Sequence, residues 1–154
     1  MIKKRKKQLL YLGNKLSKYG KTPTGIDFLV PQLESLGFRV KAYSDKKNKL
    51  YRLLSMWFAI YKNRESLDYI LIDTYSTLNF WYAVTSAYIA RCYSIPYICI
   101  LRGGDLPNRI RKSKNASEQL FKGAYTNIGL SQYLVSNFRA LGYTNITYIE
   151  NTIT

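Results

Sequence analysis

The segment Arg102-Gly103-Gly104-Asp105 combines residue types that bind charged or hydroxylated ligands. The guanidinium of Arg102 can make a forked contact with a phosphate or a carboxylate. The carboxylate of Asp105 can accept hydrogen bonds from sugar hydroxyls, and the two glycines allow the backbone to approach a ligand closely. The segment follows the apolar run 96–101, which predicts a buried strand. We favour a ligand site here over the alternative, a turn held by a local Arg102–Asp105 pair.

A long loop, residues 13–25, separates the first predicted strand from the first predicted helix. Gly13 and Asn14 open the loop, and Thr24 and Gly25 lie at the start of the helix. Free N–H groups and the helix dipole at such a start favour an anion or a sugar hydroxyl. The glycine spacing matches neither the dinucleotide fingerprint nor the P-loop, which disfavours the first kind of site and excludes the second. A solvated loop without a ligand is an equally weighted alternative.

Two more polar residues end predicted strands. Asp73 follows the apolar run 69–72, and Ser131 follows the strand 127–130. Because ligands of parallel α/β sheets bind beyond the carboxyl ends of the strands, both positions are candidates for binding. For Asp73, a carboxylate that only caps its own turn is equally plausible. Ser131 is also predicted to cap the helix that follows it.

Histidine is absent from the chain, which excludes the Ser-His-Asp triad, the Cys-His pair and any His-ligated metal within it. The nine acidic residues are scattered, so no metal site is predicted. The two cysteines, Cys92 and Cys99, are interpreted as small buried hydrophobes rather than ligands or a disulfide. No catalytic residue can be assigned from these patterns.

Short apolar runs alternate with helical patterns along the whole chain. This alternation predicts the α/β class, with a Rossmann-like parallel sheet of about six strands and helices on both faces. The strands are predicted at 8–12, 38–43, 69–72, 96–101, 127–130 and 146–149, and a helix is predicted at 78–93 with Ser76 and Thr77 as its cap. The aromatic residues of the second and third helices are assigned to core and helix packing; they are Trp57, Phe58, Phe80, Trp81, Tyr82 and Tyr88.

The chain is strongly basic, with 24 Lys and Arg against 9 Asp and Glu, a formal charge of +15. Fourteen of the 24 Lys and Arg precede residue 53, and Arg109, Arg111, Lys112 and Lys114 form a second basic cluster. Such a charge suits nucleic acid or an anionic membrane, but no nucleic-acid motif is present, so nucleic acid is the less favoured partner. The most apolar stretch, 78–101, contains Arg91 and Pro96 and does not predict a membrane span. We therefore expect a cytoplasmic protein that can lie on the inner face of a membrane.

The order of these features resembles the N-terminal Rossmann-like domain of GT-B glycosyltransferases of retaining family 4 (glycosyl transferases group 1). The resemblance rests on the helix that opens at Thr24-Gly25-Ile26-Asp27 and on the polar loop after the fourth strand. Its most telling part is the tail, with Ile128-Gly129-Leu130-Ser131, Leu141-Gly142-Tyr143 and the segment 146–151. The chain departs from the family where Arg102 to Asp105 stands in place of a frequent His, and where Thr24-Gly25 stands in place of a Gly-Gly pair.

The resemblance implies that residues 1–149 form the acceptor-side domain and 150–154 begin the interdomain linker, the C-terminal donor domain being absent from this chain. The full enzyme would transfer a sugar from a nucleotide-sugar, its donor substrate, to a glycan or lipid-linked acceptor without a metal or other cofactor. This half would be inactive alone. Its acceptor-binding residues would be Gly13, Asn14, Thr24, Gly25, Asp73, Arg102, Gly104, Asp105 and Ser131. The alternative is a non-catalytic basic module that binds nucleic acid or an anionic membrane.

Overall fold

A computed structural model of the protein describes residues 7–13, 25–43, 49–77, 79–102 and 105–149. Strands and helices alternate through them. The strands are β1 (Gln8–Leu12), β2 (Arg39–Tyr43), β3 (Tyr69–Thr74), β4 (Tyr97–Leu101), β5 (Thr126–Gly129) and β6 (Ile146–Tyr148). The helices are α1 (Gly25–Ser35), α2 (Lys49–Asn63), α3 (Phe80–Cys92), α4 (Leu106–Lys112), α5 (Lys114–Gly123) and α6 (Gln132–Ala140).

The six strands form one parallel sheet in the order β2-β1-β3-β4-β5-β6. From β1 the chain moves to one side to make β2, then crosses back to β3 and continues in that direction. Because crossovers between parallel strands are right-handed, the reversal puts α1 on one face and the later helices on the other. This arrangement confirms the α/β class and is consistent with a Rossmann-like fold. The reversal also makes the carboxyl ends of β1 and β3 a topological switch point.

Apolar cores fill both sides of the sheet. On one side, Val30 and Leu33 of α1 pack on the sheet. The buried strand residues on that side are Leu9, Tyr11, Leu71 and Ile100. On the other side, α2 to α6 share a larger core. Its aromatic centre is the ring of Phe121, which packs on the rings of Phe80, Phe138 and Tyr143.

The ends of α1 and α6 follow the sequence-based expectation. Gly37 and Gly142 have φ angles of +97° and +96°, the left-handed conformation that closes a helix at least cost with glycine. At the start of α6, the Oγ atom of Ser131 accepts a hydrogen bond from the N–H of Leu134 at 3.2 Å. The predicted cap at Ser131 is therefore confirmed. Pro31 lies inside α1, which extends from Gly25 to Ser35.

One helix prediction is wrong, and one helix was not predicted. Helix α3 starts at Phe80 after Asn79, which makes no side-chain cap bond, so Ser76 and Thr77 do not cap it. Instead, the Oγ1 atom of Thr77 accepts a hydrogen bond from the N–H of Asn79 at 3.4 Å, within the turn that leads into the helix. Helix α4 was not predicted from the sequence. Pro107 lies in its first turn, where a proline is compatible with a helix because its missing N–H would be unsatisfied there.

The assignment of six aromatic residues of α2 and α3 to core and helix packing holds only in part, because Trp57 and Tyr82 pack against the core but three of the others are exposed. Phe80 is fully buried, but Phe58, Trp81 and Tyr88 are 61%, 41% and 60% exposed. The buried side of α3 consists mainly of small residues, which let the helix lie close to the sheet and leave its largest rings on the outside. Within the described residues, no helix has the length and apolar character needed to cross a membrane.

Replacing Phe121 with alanine removes the ring that three other aromatic residues contact. We expect Phe121→Ala to lower the free energy of unfolding by about 3–5 kcal/mol, because the cavity cannot collapse fully. The matched control is Phe58→Ala, which truncates an exposed phenylalanine and should change it by less than about 0.5 kcal/mol. Urea unfolding followed by circular dichroism measures both. Equal losses in the two variants would contradict the description of the core.

Candidate functional site

Three strand ends meet around Asp73. Leu12 of β1 is in register with Ile72 of β3, so Gly13 comes next to Asp73. On the other side of β3, Thr74 is in register with Leu101 of β4, and the N–H of Arg102 bonds to the carbonyl of Thr74 at 2.9 Å. The sheet register therefore brings Gly13, Asp73 and Arg102 together at its carboxyl edge. This edge includes the switch point between β1 and β3.

Asp73, Tyr11 and Arg102 form a closed set of hydrogen bonds, which we call the Asp73 cluster. The hydroxyl of Tyr11 donates to Asp73 Oδ1 at 2.8 Å, and Arg102 Nε donates to the same oxygen at 3.0 Å. Arg102 Nη2 completes the triangle by donating to the Tyr11 hydroxyl at 2.8 Å. The Asp73 side chain is fully buried and that of Arg102 is 12% exposed, so the ion pair is shielded from water. These bonds fix the carboxylate in one orientation.

Burial dominates the electrostatics of the cluster. It raises the pKa of the Asp73 carboxyl above its ordinary value, and the Arg102 charge and the Tyr11 hydroxyl oppose that shift only in part. Burial and the Asp73 charge also raise the pKa of Tyr11, which keeps its hydroxyl protonated. For Arg102, burial alone would lower the pKa, but Asp73 and Tyr11 outweigh it, so the guanidinium stays charged. A desolvated carboxylate of this kind interacts strongly with any donor that reaches it.

The second oxygen of the carboxylate, Asp73 Oδ2, is buried and has no hydrogen-bond partner among the described residues. It lies against the backbone of Gly13, where any β-carbon would overlap it. A β-carbon there would also lie 3.1 Å from Asp73 Cγ and 3.3 Å from Tyr11 Cε1. The absence of a side chain at Gly13 is thus what leaves room for this oxygen. Buried acceptors without partners are rare and costly, so this oxygen calls for an explanation such as a bound water, an ion or a catalytic role.

Beside these residues lies a small open depression of about 10 Å³, space for about one water molecule. It is lined by the polar and aromatic residues Asp73, Asn79, Tyr75 and Tyr82 and by the apolar residues Leu12, Met56 and Ile72. Gly13 forms part of its edge. The lining thus places an amide, a carboxylate and aromatic rings next to apolar side chains at the strand ends.

The remaining candidates from the sequence lie elsewhere. Asp105 is exposed and accepts a hydrogen bond from Asn108 Nδ2 at 2.7 Å, while Arg102 pairs with Asp73, so the alternative of a local Arg102–Asp105 pair is wrong. Ser131 lies at the carboxyl end of β5 and caps α6. Gly25 is the first residue of α1. Asn14, Thr24 and Gly104 fall outside the described residues.

Sequence reasoning missed Tyr11. The signal was a single tyrosine within the apolar run of β1, since a buried tyrosine needs a partner for its hydroxyl. It also assigned the fork of Arg102 to an external phosphate or carboxylate. Two of its nitrogens, Nε and Nη2, already serve Asp73 and Tyr11. Arg102 therefore acts mainly as the counter-charge of Asp73.

Other chemistry has little support in this part of the molecule. No group of three or more His, Cys, Asp or Glu residues within the described ranges could hold a metal ion. Both cysteines are free thiols. Burial raises the pKa of the Cys99 thiol to about 12, so it stays protonated and unreactive at neutral pH. The expectation that Cys92 is buried is wrong, since its side chain is exposed at the end of α3.

The Arg102–Asp73 ion pair gives a stability prediction. Arg102→Leu leaves the Asp73 carboxylate buried without its counter-charge, and we expect a loss of about 3–5 kcal/mol in unfolding free energy. In the double variant Arg102→Leu/Asp73→Leu no buried charge remains, so a large part of the loss should return. Urea unfolding of the two variants measures this. A double variant less stable than Arg102→Leu would contradict the pairing.

The raised pKa of Asp73 gives a pH prediction. A group with a raised pKa in the folded state contributes stability below its unfolded pKa, and that contribution is lost as pH rises through the folded pKa. The unfolding free energy of the wild type minus that of Asp73→Asn should therefore fall as pH rises from about 4 to neutrality. Urea titrations at several pH values measure the difference. A difference that grows with pH would show that the Arg102 charge outweighs burial.

Comparison of the chain with protein-family models, with curated proteins and with solved structures gives no match. The chain is an α/β protein with a six-stranded parallel sheet flanked by helices, and a buried, partly unsatisfied carboxylate lies at the switch point of that sheet.

Proposed function

We propose that the chain binds a hydroxyl-rich acceptor at the carboxyl ends of β1 and β3, as the acceptor-binding half of a retaining glycosyltransferase. One observation carries the binding proposal: Asp73 Oδ2 is a buried acceptor without a partner among the described residues, at the switch point of the sheet. The transferase part of the proposal is supported only by the order of sequence features, which resembles that of the N-terminal domain of GT-B glycosyltransferases.

A sugar hydroxyl can supply the hydrogen-bond donor that Asp73 Oδ2 lacks among the described residues. A carboxylate oxygen accepts hydrogen bonds and donates none, so its partner must carry an O–H or an N–H. The other oxygen is already saturated by Tyr11 and Arg102, which prevents the carboxylate from turning away. Sugar hydroxyls supply O–H donors, and the apolar faces of sugar rings suit the tyrosines beside the depression. A phosphate is a poorer match, because its charge would face the Asp73 carboxylate.

In this proposal the residues of the chain bind and orient the acceptor. Asp73 accepts from one hydroxyl, and the absence of a side chain at Gly13 leaves room for the carboxylate oxygen that accepts it. Asn79 can donate to or accept from a second hydroxyl at the rim of the depression. The nucleotide-sugar donor would bind to a separate domain, and the chain alone would show no transfer activity.

Saturation-transfer NMR against a panel of mono- and disaccharides tests the proposal. We expect weak binding by the wild type and a loss of at least about tenfold in affinity for Asp73→Asn, because the amide presents a donor group where an acceptor is needed. Glu65→Gln, an exposed carboxylate in the turn after α2, is the matched control and should bind like the wild type. Gly13→Ala should also lose binding, because its methyl group would overlap Asp73 Oδ2 and displace the carboxylate.

Sugar binding that is equal in Asp73→Asn and the wild type would contradict the proposal, as would the absence of binding to any sugar in the panel. Circular dichroism and urea unfolding verify that each variant is folded. The charge-neutral Asp73→Asn change keeps the size of the side chain, which limits the structural disturbance.

A second candidate function is a non-catalytic basic module that binds nucleic acid. It is favoured by Arg111, Lys112 and Lys114, which are exposed on α4 and α5 in a stretch without acidic residues from 106 to 117. Salt separates the two functions. Binding to DNA through phosphates falls steeply as salt rises, whereas sugar binding through Asp73 does not depend on counterion release.

A further inference from the structure

The outward side of α2 carries apolar and aromatic side chains where a surface helix normally carries polar ones. Tyr51, Leu54, Phe58 and Tyr61 point away from the core and are between 46% and 67% exposed. Their spacing of three and four residues puts them on one stripe of the helix. The opposite side of α2 is buried against the sheet through Met56, Ala59 and Ile60. The helix is thus apolar on two sides, and only one of them faces the core.

Helix α3 extends this surface. Trp81 and Tyr88, two turns apart, face outward and are 41% and 60% exposed. The two helices touch along a seam where Trp57 Nε1 donates to Thr85 Oγ1 at 3.1 Å. We call the surface formed by Tyr51, Leu54, Phe58, Tyr61, Trp81 and Tyr88 the α2–α3 outer face. Six half-exposed side chains of this size leave on the order of 600 Å² in contact with water, at the upper end of the roughly 300–600 Å² of the largest patch on a typical monomer.

Basic residues predominate in the sequence around this face. From Lys46 to Arg64 there are six basic residues and no acidic one, although Asp45 and Glu65 flank this segment, and from 74 to 104 there is no acidic residue. Lys62 is exposed at the end of α2. Arg64 stacks over the ring of Tyr61 at 4.2 Å from its centroid, which places its charge at the edge of the face. A partner of complementary chemistry must therefore be apolar and carry negative charge.

We propose that the α2–α3 outer face docks on an anionic lipid bilayer, with both helices lying in the plane of the interface. Amphipathic surfaces that combine Trp, Tyr and Leu with basic residues bind at the boundary between headgroups and acyl chains. Four of the six side chains of the face are Tyr or Trp, whose rings enter that boundary while their polar atoms stay hydrated. The basic residues around them add attraction to anionic lipid.

Docking in this orientation leaves the candidate sugar site accessible. Met56 and Tyr82 line the depression from α2 and α3, whereas Phe58 and Trp81 belong to the outer face of the same helices. The bilayer proposal does not rest on the sugar-binding proposal, because Asp73 lies beneath the helices at the sheet edge. Asp73→Asn should leave vesicle binding unchanged, so the two proposals can fail separately.

Sedimentation with extruded vesicles of about three parts phosphatidylglycerol to seven parts phosphatidylcholine tests the proposal. We expect the wild type to bind these vesicles, and the double variant Phe58→Ser/Tyr88→Ser to bind at least about tenfold more weakly, because it loses most of two inserted rings. Tyr133→Ser on α6 is the matched control, since Tyr133 is 61% exposed and lies outside the face. It should bind like the wild type.

Tryptophan fluorescence gives a second measurement. The chain has two tryptophans, the partly buried Trp57 and the exposed Trp81. Vesicles should shift the emission of the wild type to shorter wavelength, and Trp81→Phe should remove most of this shift. Because the altered residues are exposed, circular dichroism should show the same fold in every variant.

Several results would overturn the proposal. They are no binding to the anionic vesicles, equal losses in Phe58→Ser/Tyr88→Ser and Tyr133→Ser, and binding that the double variant leaves unchanged. A protein dimer that Phe58→Ser/Tyr88→Ser dissolves, with no vesicle binding by the wild type, would overturn it in favour of a second copy of the chain. Equally tight binding to pure phosphatidylcholine vesicles would overturn the proposal of an anionic bilayer, because the basic residues would then contribute nothing to binding.

Discussion

A buried ion pair between Asp73 and Arg102 organises the carboxyl edge of the sheet. It joins the ends of β3 and β4, and the hydroxyl of Tyr11 adds β1 to the same set of hydrogen bonds. Taking a carboxylate out of water costs several kcal/mol unless its oxygens are satisfied. One oxygen of Asp73 has two donors, and the other has none among the described residues. The unequal satisfaction of these two oxygens is the reason for placing the candidate site at Asp73.

Topology explains why the imbalance lies where it does. The chain reverses its direction across the sheet between β1 and β3, so α1 and α3, the helices that follow these two strands, lie on opposite faces. In α/β sheets such a reversal opens a crevice at the strand ends. Gly13 and Asp73 are the residues that the register places there. The inner sides of α2 and α3 contribute to the depression, while their outer sides carry the exposed aromatic residues. The same two helices thus connect the candidate sugar site with the proposed bilayer surface.

The sequence predicted the fold well because its signals are local. Apolar runs such as 69–72, helix-closing glycines such as Gly37 and the cap at Ser131 all act within a few residues. The Asp73 cluster could be predicted only in part, since Tyr11 and Arg102 are 91 residues apart in the chain and meet through the strand order. The exposure of Phe58 and Trp81 was mispredicted because apolar periodicity does not tell which of two apolar sides of a helix faces the core. Helix α4 was missed because Pro107 has the same local signal in a loop and in a first turn.

Crystals of the protein soaked with a sugar selected by NMR would show whether Asp73 Oδ2 accepts a hydrogen bond from a sugar. We expect a sugar hydroxyl about 2.7 Å from Asp73 Oδ2, the usual distance for a hydrogen bond between oxygens. The Tyr11 and Arg102 bonds to Oδ1 should remain unchanged. A sugar bound away from Asp73, or a protein N–H that already fills Oδ2 in the presence of the sugar, would contradict it.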